Sequence, residues 1–158
     1  MLFQRVNRTD PEKVFIVAKN SWASASLTNG QAVVWDWTTD VDGVGVTKAI
    51  ATANVSQGTD VAGVATETIP SGSYGLLQVY GYHSAVRVRR LTSTGHVYDE
   101  STADVAKGTP LVGGVSAAFC LEGISPVETA QVLKPCAFAF AASTLFTTAT
   151  MAVFLKCL

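Results

Sequence analysis

The chain has 158 residues and a formal net charge of −1 at pH 7, and 48% of its residues are hydrophobic while only 15% are charged. The near-neutral charge offers no field that would attract a polyanion, so we do not expect nucleic acid as a partner. No apolar run of about 20 residues is present, so we expect no membrane span. The low charge favours a subunit of an assembly over a monomer with a large β core.

The length is that of a single domain. Residues 1–10 show little periodicity and are expected to form an N-terminal arm, while residues 11–158 are expected to form one β domain. The N-terminus lacks a long apolar segment followed by a cleavage site. We therefore expect the protein to stay in the cytoplasm where it is made.

Alternation of apolar and polar residues after the arm predicts β-strands at residues 13–19, 31–38 and 47–55. The pair Asn29-Gly30 predicts a tight turn before the second strand, because both residues tolerate positive φ. Within that strand Val33, Trp35 and Trp37 occupy alternate positions and share a face. The tryptophans are therefore expected to pack in the core or between subunits.

Residues 60–90 are predicted to be the centre of the fold, as an antiparallel meander of three strands. Pro70 and Gly72 lie in a turn sequence that ends the first strand. The second strand, residues 74–80, is expected to place Leu77 and Val79 on one face and Leu76, Gln78 and Tyr80 on the other. Gly81 is expected to end it.

The third strand of the meander alternates strictly, which points Val86 and Val88 inward and Arg87 and Arg89 outward. With Tyr80 and Tyr82 just before them, the arginines could form a basic and aromatic platform for nucleic acid. The net charge argues against that interpretation. A solvated face, an edge strand protected by charge, or a contact to an acidic protein neighbour fits better.

The C-terminal part is predicted to contain a polar loop at residues 91–109 and a strand at residues 111–121 that two consecutive glycines interrupt. A capping-box pattern from Ser125 to Glu128 predicts a short helix to about residue 133. Strands at residues 137–142 and 148–155 are expected to close the chain as a hairpin. The expected class is all-β, a compact antiparallel β-barrel or sandwich with at most one short helix.

No group in the sequence is placed for chemistry. His83 and His96 have no second metal ligand at a suitable spacing, and the Asp40–Gly43 segment lacks the later oxygen ligands of a calcium loop. Nucleophile-elbow, P-loop and dinucleotide motifs are absent. Cys120, Cys136 and Cys157 are widely spaced and are expected to act as small buried hydrophobic residues. We therefore expect neither an enzyme nor a bound metal or cofactor.

Several segments together resemble the head decoration (capsid cement) proteins of tailed bacteriophages, over residues 27–158. They are LTNGQAVVWDW, DVDGVGVT, DVAGVATETIPSGSYGLLQVYGYHSAVRV, GTPLVGG, CAFAFAAS and TMAVFLKCL. The resemblance implies a compact β protein that is assembled in the host cytoplasm and located in the virion, on the outer capsid surface. It further implies a homotrimer whose partner is the major capsid protein.

The resemblance also implies which residues make protein contacts. The expected contact residues are Arg5, Arg8, Trp35, Trp37, Tyr80, Tyr82, Arg87 and Arg89. Two other classes stay open. One is a different phage component, such as a head fibre base or a tail protein, and the other is a carbohydrate-binding β module that uses Trp22, Trp35 or Tyr82 as its platform.

A truncated chain that lacks residues 1–9 tests the role of the arm. If these residues contact the shell, as terminal arms do in the family resembled, the truncated protein is expected to lose capsid binding while it keeps its fold. Co-sedimentation with capsids measures the binding, and circular dichroism checks the fold. Unchanged binding would contradict a shell-contacting arm.

Overall fold

A computed structural model describes residues 12–40, 42–48, 61–89, 105–113, 121–123, 135–142 and 148–157. These residues form β-strands and no helix, so the predicted all-β class is confirmed. The predicted arm and the predicted helix near residue 125 lie outside the described residues. The strands are β1 (Val14–Asn20), β2 (Ala32–Trp35), β3 (Gly45–Thr47), β4 (Val61–Ala65), β5 (Tyr74–Arg89), β6 (Pro110–Gly113), β7 (Leu121–Gly123), β8 (Ala137–Ala139) and β9 (Ala149–Lys156).

The strand pairings close into two rings that share β5. In the first ring, β1 pairs with β3, β3 with β2, β2 with β4, β4 with β5, and β5 again with β1. In the second, β5 pairs with β7, β7 with β6, β6 with β8, β8 with β9, and β9 again with β5. The described residues therefore form two small five-stranded barrels on one long strand.

The two rings follow the same path. If β1 to β5 are matched with β5 to β9 in order, every pairing of the first ring has a counterpart of the same orientation in the second. The parallel pairs β1–β3 and β5–β7 correspond, and they depart from the antiparallel pairing that the sequence predicts. The other pairings in both rings are antiparallel, as predicted. The chain thus contains an internal structural repeat.

The turn before β2 in the first ring and the turn before β6 in the second ring make equivalent backbone hydrogen bonds. In the first ring the Gly30 N–H donates to the Ala65 carbonyl at 2.8 Å, and in the second the Gly108 N–H donates to the Ala139 carbonyl at 2.7 Å. Both glycines have positive φ, 82° and 88°. The two turns therefore connect β2 to the end of β4 and β6 to the end of β8. The turn predicted at Asn29-Gly30 is confirmed.

Each ring has its own apolar core, and β4 lies between the two. The first core contains Leu27, Val33, Val46, Ile69 and Leu77, and the second contains Val86, Leu111, Leu121, Val153 and Leu155. All five residues of β4 are buried. Ala62 and Ala65 belong to the first core whereas Val61 and Val64 belong to the second, so β4 has no solvent-exposed face.

The central strand differs from the predicted meander, because β5 is one continuous strand of 16 residues. Gly81 does not end the strand. Its φ of 97° lets the chain pass close to Glu12, whose carbonyl oxygen occupies the space that a side chain would need. A bulge between His83 and Val86 then shifts the alternation by one residue. As predicted, Val86 and Val88 are buried and the two arginines lie on the opposite face.

Other local predictions have mixed outcomes. The turn at Pro70 is confirmed by a hydrogen bond from the Ser73 N–H to the Pro70 carbonyl at 3.0 Å, and β8 and β9 form the predicted hairpin. The prediction of one strand at residues 111–121 is wrong, because β6 and β7 lie antiparallel to each other. Likewise β2 ends at Trp35, so Trp37 lies in a turn and not on the strand.

The two equivalent glycines allow a matched stability test. An added Cβ at Gly30 would overlap the backbone carbonyl of Ala85, whereas a Cβ at Gly108 has open space around it. Both substitutions to alanine incur the left-handed backbone strain of roughly 1–2 kcal/mol. We expect Gly108→Ala to lower the free energy of unfolding by about that amount, and Gly30→Ala by about 2–5 kcal/mol because the backbone must also move. Urea denaturation measures both, and equal losses would contradict the close approach.

Candidate functional site

The outer side of β1 and β5 in the first ring carries large apolar side chains that are exposed to solvent. Val17 is opposite Leu76 in the sheet, and cross-strand partners lie on the same face. Val17 and Tyr74 are 62% and 63% exposed, and Phe15 and Leu76 are more than 40% exposed. A soluble chain seldom leaves such neighbours uncovered on a strand pair, so this surface is a candidate for contact with another molecule.

A second group of large apolar side chains, an aromatic cluster, lies on β5, β9 and β8 of the second ring. Tyr80 contacts Phe154 with ring centroids 5.2 Å apart, Phe154 contacts Phe140 at 6.1 Å, and Phe140 contacts Tyr82 at 5.9 Å. Phe138 is the strand partner of Phe154. We use the name apolar face for the two groups together, and its residues are Phe15, Val17, Tyr74, Leu76, Tyr80, Tyr82, Phe138, Phe140 and Phe154.

A bulge in the pairing of β1 with β5 separates the two groups of the apolar face, because Phe15 is opposite Gln78 whereas the adjacent Val14 is opposite Tyr80. Gln78 lies between Leu76 and Tyr80 along that strand and is only 2% exposed. Its Nε2 donates hydrogen bonds to the carbonyl oxygens of Tyr80 and Tyr82 at 3.2 and 3.1 Å. The buried amide therefore fixes the part of the strand between the two groups, on which the tyrosines follow.

Basic residues border the apolar face. Lys19 is the strand partner of Tyr74, and Lys156 is the strand partner of Tyr80. Arg87 and Arg89 follow on β5 beyond the bulge and are half-buried. Arg87 Nη2 donates a hydrogen bond to Thr28 Oγ1 at 3.1 Å, so this arginine also links β5 to the turn before β2. The idea that the arginines protect an edge strand is wrong, because β5 is paired along both sides.

Trp35 and Trp37, which were predicted to share a face, are close in space but differ in their exposure to solvent. The ring centroids are 6.3 Å apart; Trp35 packs against the first core while Trp37 is 68% exposed. The Asp36 carboxylate accepts hydrogen bonds from the backbone N–H and hydroxyl groups of Thr38 and Thr39. The Thr39 hydroxyl contributes most to lowering the pKa of Asp36, although burial opposes this shift. The turn thus holds Trp37 outward.

The other residues that the sequence analysis considered are held by packing contacts. Trp22, part of the possible carbohydrate platform, lies beneath the Lys48 Nζ at 5.2 Å from its ring centroid, and both Trp22 and Tyr82 are half-buried. Cys136 is buried as predicted and Cys157 is partly exposed. Within the described ranges, no cluster of three or more His, Cys, Asp or Glu could hold a metal ion. Nor does any helix in that part of the chain have the length and apolarity to cross a membrane.

Of the expected contact residues, only Tyr80 and Tyr82 belong to the apolar face itself. Arg87 and Arg89 border it, Trp35 and Trp37 lie on the β2 side, and Arg5 and Arg8 are outside the described residues. His96, considered as a metal ligand, is also outside them. The sequence reasoning missed Phe15, Val17 and Tyr74. A signal was present in VFIVA, where apolar residues occupy both faces of one strand, a pattern that indicates a second covered surface.

No protein-family model matches the chain, and no curated protein matches it. Among solved structures, the chain is similar to the crystal structure of the head fiber gp8.5 N base in bacteriophage phi29. The TM-score is 0.49 and the sequence identity 11%, with 92% of this chain and 96% of that chain covered. A likeness this distant does not assign a function to the chain.

His83, which lies in the bulge of β5, is expected to make the stability of the fold depend on pH. His83 Nδ1 accepts the Ala85 N–H at 3.1 Å, so it must be unprotonated. Burial lowers the pKa of His83, and the charge of Lys13 lowers it further. Because the unfolded chain binds the proton more tightly, the contribution to stability is complete above about pH 6.5 and decreases as the pH falls towards the folded pKa.

Replacement by asparagine removes the titration while it supplies an oxygen that can accept the same hydrogen bond. The free energy of unfolding of His83→Asn is therefore expected to change less between about pH 7 and pH 5 than that of the unaltered chain. Urea denaturation across this range measures both proteins. Parallel pH profiles would show that His83 is not responsible.

Proposed function

We propose that the protein is a structural component of a tailed-phage virion that binds the outer surface of the capsid and stabilises the head. The apolar face carries the proposal, because it keeps large side chains exposed on the paired strands of two closed rings. The sequence resemblance to head decoration proteins supplies the class of partner, the major capsid protein. The function needs no catalysis, and we propose neither an enzymatic activity nor a cofactor.

A preformed β surface suits this function physically. Because the strands are held in rings, docking would immobilise few additional backbone dihedrals, and the entropic cost of binding stays low. A molecule that binds across neighbouring capsid subunits stabilises the arrangement in which both are in place, by mass action. The proposed assembly is a homotrimer, which would present three such faces to the shell and multiply a weak contact.

The charges around the apolar face specify the partner further. Lys19, Lys156, Arg87 and Arg89 border the aromatic centre. A complementary capsid surface would be apolar at its centre and acidic at its edge. Such binding would weaken as the ionic strength rises, because the border charges are at least partly exposed to solvent and are screened by salt.

Two lysine substitutions on the apolar face test the proposal. Val17→Lys and Leu76→Lys place charges on neighbouring exposed positions without altering either core. If the face is buried against the capsid, each should weaken binding at least about tenfold, since a desolvated charge at a contact centre costs 1.4 kcal/mol or more. Co-sedimentation with empty capsids measures the binding. Ser24→Lys, at an exposed position outside the four strands of the face, is the matched control.

Light scattering coupled to size exclusion accompanies the binding measurement. The unaltered protein is expected to elute with the mass of three chains and to bind capsids, and Ser24→Lys is expected to match it. A monomer that ignores capsids would contradict the proposed function. Capsid binding that survives both lysine substitutions would contradict the assignment of the contact to the apolar face.

A further inference from the structure

Two thiols lie together at the open end of the β8–β9 hairpin. Cys136 directly precedes β8 and Cys157 directly follows β9, and the two are 21 positions apart in the chain. The hairpin registers Ala137 with Leu155, and the Lys156 N–H donates to the Cys136 carbonyl at 2.7 Å. The pairing of the strands therefore brings the two cysteines next to each other.

The thiols are also close in detail. Cys157 Sγ is 3.5 Å from the carbonyl oxygen of Cys136, and Cys136 Sγ is 3.5 Å from the carbonyl oxygen of Leu111 on β6. The contact with the Cys157 thiol is the main cause that raises the pKa of Cys136, and burial adds to it. Both cysteines are free thiols. This thiol contact and the 3.5 Å from Cys157 Sγ to the Cys136 carbonyl place the two sulfurs within the reach of a disulfide.

We infer that Cys136 and Cys157 form a disulfide-forming pair, which is oxidised by a low-molecular-weight disulfide after folding. This role differs from the expectation that the cysteines act only as small buried hydrophobic residues. The bond would join the start of β8 to the end of β9, the strand that closes the second ring on β5. Because the thiols are already adjacent in the folded chain, little rearrangement opposes bond formation.

The two cysteines have different tasks in the reaction. Cys157 is partly exposed, so its thiolate attacks the small disulfide, releases one small thiol and forms a mixed disulfide. Cys136 is 6% exposed and cannot easily meet the reagent, but its sulfur lies beside the mixed disulfide. Its attack releases the second small thiol and leaves the Cys136–Cys157 bond. The small disulfide is thereby reduced to two thiols, which carry the two protons, and the protein loses two electrons.

The point at which the oxidant is met rests on the proposed function. A virion protein is made in a reducing cytoplasm and then released with the particle into surroundings that do not reduce disulfides. The chain would thus fold and assemble with free thiols, and the second ring would be cross-linked only afterwards. The chemistry of the pair itself does not depend on a capsid and can be measured on the isolated protein.

The test uses the purified full chain, first reduced and then incubated with glutathione disulfide. The remaining thiols are alkylated without reduction, and protease peptides are mapped by mass spectrometry. We expect a peptide pair joined through Cys136 and Cys157, with Cys120 still alkylated. The melting temperature of the oxidised chain is expected to rise by about 6–12 °C, because a closed loop of this length restricts the unfolded chain.

Cys157→Ser is the matched control and is expected to show neither the joined peptides nor the rise in melting temperature. Full alkylation of Cys136 and Cys157 after oxidation, or a bond from either to Cys120, would overturn the inference. A joined pair with an unchanged or lower melting temperature would overturn the cross-linking role. Because capsids are absent from this experiment, its failure leaves the capsid-binding proposal to be judged by its own test.

Discussion

The structure depends on β5 serving two rings. A strand that belongs to two closed barrels must be paired on both sides over nearly its whole length, and it must bend where one ring passes into the other. Gly81 and the bulge after His83 provide that bend. Their positions are tightly restricted, because the Glu12 carbonyl occupies the space beside Gly81 and the buried imidazole accepts a backbone N–H within the bulge.

Because the two rings share one strand, their cores lie close together. Small residues fill the narrow space between them. The wall between the cores is β4, whose sequence VAGVA contains no side chain larger than valine. A Cβ at Gly63 would lie 2.9 Å from the Gln78 carbonyl oxygen of β5, so glycine is required where the two strands approach. The small side-chain volume of β4 explains how a chain rich in alanine and valine packs two rings against each other.

Local rules predicted the local features. Proline, glycine and asparagine placed the turns at residues 29 and 70, and alternation placed β1, the C-terminal hairpin and the buried Val86 and Val88. What failed was non-local. A glycine at position 81 is compatible both with the end of a strand and with a continuous strand that passes close to another segment. Only the contact with Glu12, which the sequence does not reveal, distinguishes the two. Ring closure and the repeat depend on pairings between distant residues, which periodicity does not encode.

Part of the apolar face was missed for a related reason. In β1 the apolar residues occupy both faces, and the sequence does not reveal which face meets the core. The structure decides this through Leu77 and Ile69, which fill the first ring and leave Phe15 and Val17 outside. The sequence pattern singled out Tyr80 and Tyr82, but their neighbours Phe140 and Phe154 come from a hairpin more than fifty positions away.

The shared strand also sets the order in which the protein can fold during synthesis. All strand pairings of the first ring involve residues between 14 and 80, so that barrel can close while the ribosome is still translating the rest of the chain. The second ring must wait for β9, which ends at Lys156. Until then the distal half of β5 is without its longest partner, and the nascent chain exposes a strand edge that could pair with another copy.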